Sequence, residues 1–327
     1  MFQRILVPLD GSQRAEQAIP LAARLARASG GSLFLIRVVN TIREFGAYSP
    51  RAILYFQELY EIELADARDY LAGITALSEF AGLEMHHAVV SGDIAPSLLQ
   101  AIQRESIDLI VLCSHGYTGF KRWALGSVAQ KVVRQSPVPV FLLREQHLQL
   151  TDKVVQPVRA AIALDGSSFA EAALLPTAHL VAALSSPSAG ELLLLQVVQM
   201  PTEQEERECQ QRGLDVDLRQ ATSRAADNSL RAARATLLRE LPGKILAHIA
   251  WSVVENGDVA DALIQAAEVG RGLGAQQASD LLALTTHGRS GIQRWVLGSV
   301  TERVLQGSTL PLFIVHPQDI VLPQSAG

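Results

Sequence analysis

The chain has 327 residues, 48% hydrophobic and 19% charged, with a formal net charge of -5 and a pI near 5.9. That composition excludes fibrous and disordered classes, and at ~150 residues per domain the length predicts two domains. The acidic balance leaves no Lys/Arg stripe to displace phosphate counterions, and no ~20-residue apolar block exists for a membrane span, so neither nucleic acid nor membrane is an expected partner.

From the N-terminus, residues 1–10 lack the succession of a signal peptide and read as a strand at 4–9, which points to a cytoplasmic protein. Ser12 is a good N-cap for a helix running to Gly30 and Gly31, which suit its stop. Strands then follow at 32–39, 84–91, 109–113 and 139–143, separated by helices at 55–80, 95–103 and 126–135. β-branched runs alternating with Ala/Leu/Arg-rich segments predict βαβ units and an open, five-stranded parallel sheet flanked by helices, an α/β Rossmann-like fold. The polar stretch 145–158, with Pro157, marks a boundary, giving domains at 1–147 and 155–318 and a tail at 319–327. In the second half, 201–223 (PTEQEERECQQRGLDVDLRQATS) reads as a mobile loop leading into a solvated helical face. Gly270, Gly272 and Gly274 do not spell G-x-G-x-x-G and read as a flexible insertion.

The second half repeats the first. HGYTGFKRWALGSVAQKVVRQSPVPVFLL, starting at His115, lies over HGRSGIQRWVLGSVTERVLQGSTLPLFIV, starting at His287, with 13 identities in 29 positions at an offset of 172. Upstream, Asp10 lies over Asp165 at an offset of 155, Val38 over Val197 at 159, and Gly92 over Gly257 at 165. The growing offset places small insertions in the connections of the second copy, where loops absorb them cheaply.

In an open parallel sheet, ligands sit at the carboxyl ends of strands near the topological switch point. Asp10 and Asp165 end the first strand of each copy, and Gly116–Ser127 and Gly288–Ser299 lead from the fourth strand through a glycine-bearing loop into a helix. Backbone N–H groups and the positive helix end then converge on one spot, which favours a phosphate. Each residue also has a plainer use. Asp10 and Asp165 would equally cap the first helix or its turn, and Ser127 and Ser299 serve equally as N-caps and as phosphate contacts. His115 and His287 show no carboxylate partner and read as structural. Trp123 and Trp295 would pack the loop, and Arg122 and Arg294 adjoin it as possible phosphate clamps. Cys113 and Cys209 have no ligand spacing, so no disulfide framework or metal site is expected.

These residues resemble the universal stress proteins in their tandem form. The nucleotide-binding members carry G-x2-G-x9-G-[ST]. Here Cys113-Ser-His-Gly116 is followed by nine residues and Gly126-Ser127, and Thr285-Thr-His-Gly288 by nine residues and Gly298-Ser299, so each copy replaces the first Gly. The strand-one aspartate, the strand-two valine, Gly92-Asp93 and Gly257-Asp258 extend the likeness over nearly the whole chain. The resemblance implies that Asp10, Asp165 and the backbones of Val38 and Val197 hold adenine and ribose. It implies that Gly116, Gly126, Ser127 and Val128, with Gly288, Gly298, Ser299 and Val300, hold phosphates. Pro8, Leu112, Cys113 and His115 complete the first implied site, and Thr285 and His287 the second. The implied ligand is ATP or AMP, with or without Mg2+, and the first site is expected to bind at least as tightly as the second, since Cys113 is less branched than Thr285. The motif supplies a cradle but no catalytic residues, so a stress-response or signalling module is expected rather than an enzyme. The alternatives are a slow ATP hydrolase or phosphotransferase using Asp93, His115 or Arg122, and a nucleotide-free scaffold. In the resembled family the fifth strands pair, so 138–143 and 310–315 are expected to join in an intramolecular pseudo-dimer or a homodimer, which would cover two apolar edges.

Overall fold

A computed structural model describes residues 1–40, 50–114, 125–144, 157–212, 217–241, 246–270, 278–286 and 297–317. The chain divides into two units, Met1–Lys153 and Val154–Gly327.

The first unit runs β1 (Arg4–Pro8), α1 (Gln13–Glu16), α2 (Ala18–Ser29), β2 (Ser32–Val39), α3 (Pro50–Thr75), β3 (Met85–Ser91), α4 (Ile94–Arg104), β4 (Leu109–Cys113), α5 (Ser127–Gln135) and β5 (Val140–Leu143). The sheet order is 3-2-1-4-5, and every pairing is parallel. Right-handed crossovers in that order place the helices after β1 and β2 on one face and those after β3 and β4 on the other. Packing of α4 beside α5 agrees with this. Ile5, Leu6, Val7, the 109–112 stretch of β4 and Phe141 are buried on both sides, as a doubly covered parallel sheet requires.

The second unit repeats the plan with β6 (Arg159–Leu164), α6 (Ser168–Glu171), α7 (Leu174–Ser185), β7 (Gly190–Val198), α8 (Glu203–Gln211), α9 (Leu218–Glu240), β8 (Leu246–Glu255), α10 (Val259–Val269), β9 (Leu281–Thr285), α11 (Ser299–Gly307) and β10 (Leu312–Val315). Its order is 8-7-6-9-10, again parallel. A repeated carboxylate ties each sheet together at its amino end. Asp108 accepts from the Gln3 and Arg4 amides at 2.7 and 3.1 Å, and Asp280 from the Arg159 amide at 2.8 Å.

Three expectations need correction. The first helix is two helices, because Pro20 has no N–H to give the Glu16 carbonyl; Pro176 breaks α6 from α7 in the same way. The helix expected to reach Phe80 stops at Thr75, and Ser78–Phe80 forms a 3-10 turn. The 201–223 stretch is not a loop throughout, since Glu203–Gln211 is helical. Its signal was readable. Thr202 and Glu205 form a capping box, with Thr202 N–H and Oγ1 donating to Glu205 Oε2 at 2.8 and 2.9 Å and the Glu205 amide returning to Thr202 Oγ1 at 3.3 Å. Arg207–Glu203 and Gln204–Glu208 add i,i+4 support. Thr202→Ala should cost α8 about 1 kcal/mol, read as faster amide exchange over 203–211 with the sheet unchanged.

One stretch, Ser168–Ser185, is apolar enough by length and composition to cross a membrane, with a hydropathy of 1.2. It is the broken α6–α7 pair, and Leu174, Leu180, Val181 and Leu184 bury its apolar side within the second unit. Gly270 ends α10 in the left-handed region (φ 70°); the rest of its glycine cluster lies outside the described residues.

Candidate functional site

In each unit the chain leaves the first strand for a neighbour on one side while the fourth strand lies on the other, which opens a crevice at the carboxyl end. The first wall is a turn. Asp10 Oδ1 accepts from the Ser12 amide at 3.0 Å and from Ser12 Oγ at 2.6 Å, and Ser12 Oγ caps α1 through the Ala15 amide at 3.2 Å. Asp165 does the same with Ser167, at 2.9 and 2.6 Å, and Ser167 caps α6 through Ala170 at 3.2 Å. Gly11 and Gly166 lie between at φ 85° and 81°, where a side chain would strain the backbone. The caps are therefore the serines, while one oxygen of each aspartate organises the turn.

The second wall is the stem of a loop. The Ser114 amide bonds the Leu143 carbonyl at 2.9 Å, and the returning Gly126 amide bonds the Ser114 carbonyl at 2.8 Å. In the second unit Thr286 bonds Val315 at 3.1 Å and Gly298 bonds Thr286 at 2.8 Å. Gly126 and Gly298, not the serines, occupy the N-cap positions of α5 and α11, and neither helix has a side-chain cap. Ser127, Val128, Ser299 and Val300 are thus in the first helical turn, where uncapped N–H groups and the helix dipole attract an anion. An added Cβ at Gly298 would stand 3.2 Å from the Thr286 carbonyl, so this glycine serves the stem as well as any ligand.

Pro8 ends β1, Val38 and Val197 stand next to last in β2 and β7, and Leu112 with Cys113 ends β4 as Thr285 ends β9, so these expected residues share the carboxyl ends. Thr285 is buried and its carbonyl accepts from Thr301 Oγ1 at 2.8 Å; Cys113 is half-buried. His115, Gly116, Arg122, Trp123, His287, Gly288, Arg294 and Trp295 lie outside the described residues.

Sequence reading missed a group beside Asp10. Arg37, from β2, lies 5.2 Å over the Tyr70 ring of α3, and Tyr70 donates to Glu16 Oε1 at 2.8 Å. Burial, then the hydrogen bond to Glu16 and its charge, push the Tyr70 hydroxyl well above the usual tyrosine range, so it stays a donor. The signal was the mismatch within the repeat, because Gln196 holds the place of Arg37.

Of the residues named for phosphoryl transfer, Asp93 is described, while His115 and Arg122 lie outside the described residues. Asp258 N-caps α10 through the Asp261 amide at 3.2 Å and binds Arg303 at 2.6 Å, tying α10 to α11. The Arg303 hydrogen bond holds the Asp258 carboxyl below the usual aspartate range. The tether is therefore whole above that range and is lost as pH falls through the lowered folded value. An NMR titration of the Asp258 carboxyl should show the low midpoint, and Arg303→Gln should raise it. Asp93 stands at the corresponding N-cap of α4. No group of three His, Cys, Asp or Glu converges as a metal site among the described residues.

Comparison with known proteins follows the same division. The universal stress protein family model matches residues 1–144 and again 159–316. A universal stress protein of Thermus aquaticus is 32% identical over 145 residues, 44% of this chain and 100% of its own length. One from Methanocaldococcus jannaschii is 26% identical over 145 residues, 44% of this chain and 84% of its own. Each corresponds to a single copy. The crystal structure of a universal stress protein from Archaeoglobus fulgidus superposes over 97% of this chain and 100% of its own, with a TM-score of 0.63 at 19% identity. That likeness extends the fold over both copies.

Proposed function

Because this chain belongs to the universal stress protein family, with one copy at 1–144 and a second at 159–316, we propose that it binds adenine nucleotide, ATP or AMP, in one or both units. In this reading it is a cytoplasmic stress-response or signalling module, not primarily an enzyme. One observation carries the reading. The Asp-Gly-Ser turn and the glycine-closed stem meet the same switch point twice, although the offset between the copies drifts from 155 to 172 along the chain.

Asp10 and Asp165 accept from the adenine amine or the ribose hydroxyls, since a carboxylate oxygen accepts more than one hydrogen bond. The Val38 and Val197 backbones flank the base. Ser127 and Val128, with Ser299 and Val300, direct first-turn N–H groups at the phosphates, where each charged acceptor is worth more than a neutral one, while Gly126 and Gly298, whose own amides close the stems, let the backbone approach the ligand. Mg2+, when it accompanies ATP, offsets phosphate charge without a dedicated protein cage.

A nucleotide bound only by the folded state at 100 times its Kd stabilises by about 2.7 kcal/mol, or roughly 5–10 °C in Tm for a domain of this size. ATP should produce that shift and GTP should not. Mass spectrometry of ligand released on denaturation should find an adenine nucleotide. Equal shifts with both nucleotides would overturn the adenine assignment, no shift with either would leave a scaffold, and sustained Mg2+-dependent turnover would replace the binding module with a hydrolase.

A further inference from the structure

The two sites differ in charge at one repeated position. In the first unit Arg37 precedes Val38 near the carboxyl end of β2, and its guanidinium lies against the Asp10 turn. A Cβ added at Gly11 would stand 3.3 Å from one terminal nitrogen and 3.5 Å from the other. The ring of Tyr70 supports the guanidinium from α3, and Tyr70 is itself fixed by Glu16. No carboxylate forms a salt bridge with Arg37 among the described residues, so an aromatic face holds its charge in place without neutralising it. In the second unit the same offset of 159 that places Val197 over Val38 places Gln196 over Arg37. Gln196 is 3% exposed, carries no charge, and its Oε1 has no hydrogen-bond partner.

This asymmetry acts on a polyanion. Asp10 and Asp165 each set a negative charge at the mouth of a crevice whose other wall is shaped for phosphate. Adjacent strands lie ~4.8 Å apart, so a β2 cation sits on the order of 10 Å from a ligand over β4, close to one Debye length at 0.1 M salt. Its effect there is modest, grows with ligand charge and fades with added salt.

We propose that Arg37 is a specificity-determining residue that makes the first unit the more strongly polyphosphate-preferring site of the pair, by offsetting Asp10, while the second unit, with Gln196, favours ATP over the uncharged nucleoside by its helix-end N–H groups alone and so discriminates less. The inference rests on the nucleotide reading above. Arg37 acts through the local potential, while Ser12 keeps the Asp10 turn in place, so its loss changes charge discrimination rather than the ability to hold adenine.

Each unit carries its own reporter, since the amides of Gly11 and Gly166 belong to the two aspartate turns. Titration of the full chain with ATP and, separately, adenosine, followed at these two resonances, reads both sites in one molecule. At low salt, ATP should bind the Gly11 site about fivefold or more tighter than the Gly166 site, and the gap should narrow at 0.3 M salt. Adenosine should show no such gap. Arg37→Gln should bring the ATP affinity at Gly11 to the Gly166 value and leave adenosine unchanged, and Arg37→Lys should retain most of the difference. If Arg37→Gln leaves ATP affinity at Gly11 unaltered, or weakens adenosine as much as ATP, the inference is wrong and Arg37 only packs Tyr70. If neither nucleotide nor nucleoside moves either glycine in the wild-type chain, it is the nucleotide reading itself that fails.

Discussion

Gly31→Ala and Gly190→Ala should each unfold their own unit or cost it more than about 4 kcal/mol, well beyond ordinary overpacking. An added Cβ at Gly31 would stand 2.6 Å from the Gln3 carbonyl, 2.7 Å from the Phe2 carbonyl and 2.8 Å from the Gln3 Cα, all main-chain atoms of the two residues that lead into β1. At Gly190 it would stand 2.3 Å from Val181 Cγ1, 2.5 Å from Ser185 Oγ and 2.9 Å from the Val158 carbonyl. Neither neighbourhood can move cheaply. The Gln3 carbonyl accepts the Ser32 amide at 2.8 Å, the Val158 carbonyl accepts the Glu191 amide at 2.9 Å, and Ser185 Oγ accepts the Val158 amide at 2.9 Å. Gly73→Ala is the control, because its Cβ would meet nothing within 4 Å on helix α3. It should stabilise by about 0.5–1 kcal/mol through helix propensity and a less flexible unfolded chain. Urea unfolding followed by resonances assigned to each unit would separate the outcomes, and wild-type stability for either strand-flanking variant would contradict the packing described.

That glycine pair also shows where sequence reading reached and where it stopped. Gly31 lies over Gly190 at the offset that relates Val38 to Val197, so the repeat contained the signal, yet Gly31 reads naturally as a second helix-stop residue beside Gly30. Gly30 makes the left-handed turn at φ 64°, and the Gly31 amide closes the helix end on the Ala26 carbonyl at 2.8 Å, so Gly31 serves the stop through its N–H while its missing Cβ serves the strand. The parallel strands were legible because each is a short β-branched run bounded by turn residues, and β2 and β4 keep their expected ends. Helix interruptions were less legible, since the apolar period continues across Pro20 and Pro176 while the backbone bonding does not. Glu203–Gln211 was obscured because a helix of Glu, Gln and Arg has no apolar stripe; its capping box and i,i+4 pairs make it, and burial does not. Within the candidate site the turns and the stem were readable from spacing. Arg37, Tyr70 and Glu16 were not, since they come from three separate elements and meet only when β2 lies beside β1 and α3 covers that face.

Gly298→Val should remove ATP binding from the second unit, a loss of at least about 100-fold, equivalent to ~2.7 kcal/mol, while leaving the first unit unchanged. Its amide closes the stem on the Thr286 carbonyl at 2.8 Å, and its Cβ position already lies 3.2 Å from that same oxygen. Two further methyl groups must therefore open the stem or swing the first turn of α11, and either displaces the N–H groups of Ser299 and Val300 from the phosphate position. The penalty to folding should be smaller, because the clash falls at a loop mouth and Thr301, Val304 and Leu305 still bury α11. Gly126→Val should do the same to the first unit, where the stem bond to Ser114 is also 2.8 Å. ATP titrations read at Gly11 and Gly166 would assign each loss to its own site, and amide exchange in β9 and β10 would show that the second sheet remains folded. Should both variants keep wild-type stoichiometry and affinity, the repeated glycines close a turn and cradle nothing, and the nucleotide reading would rest on the aspartate turns alone.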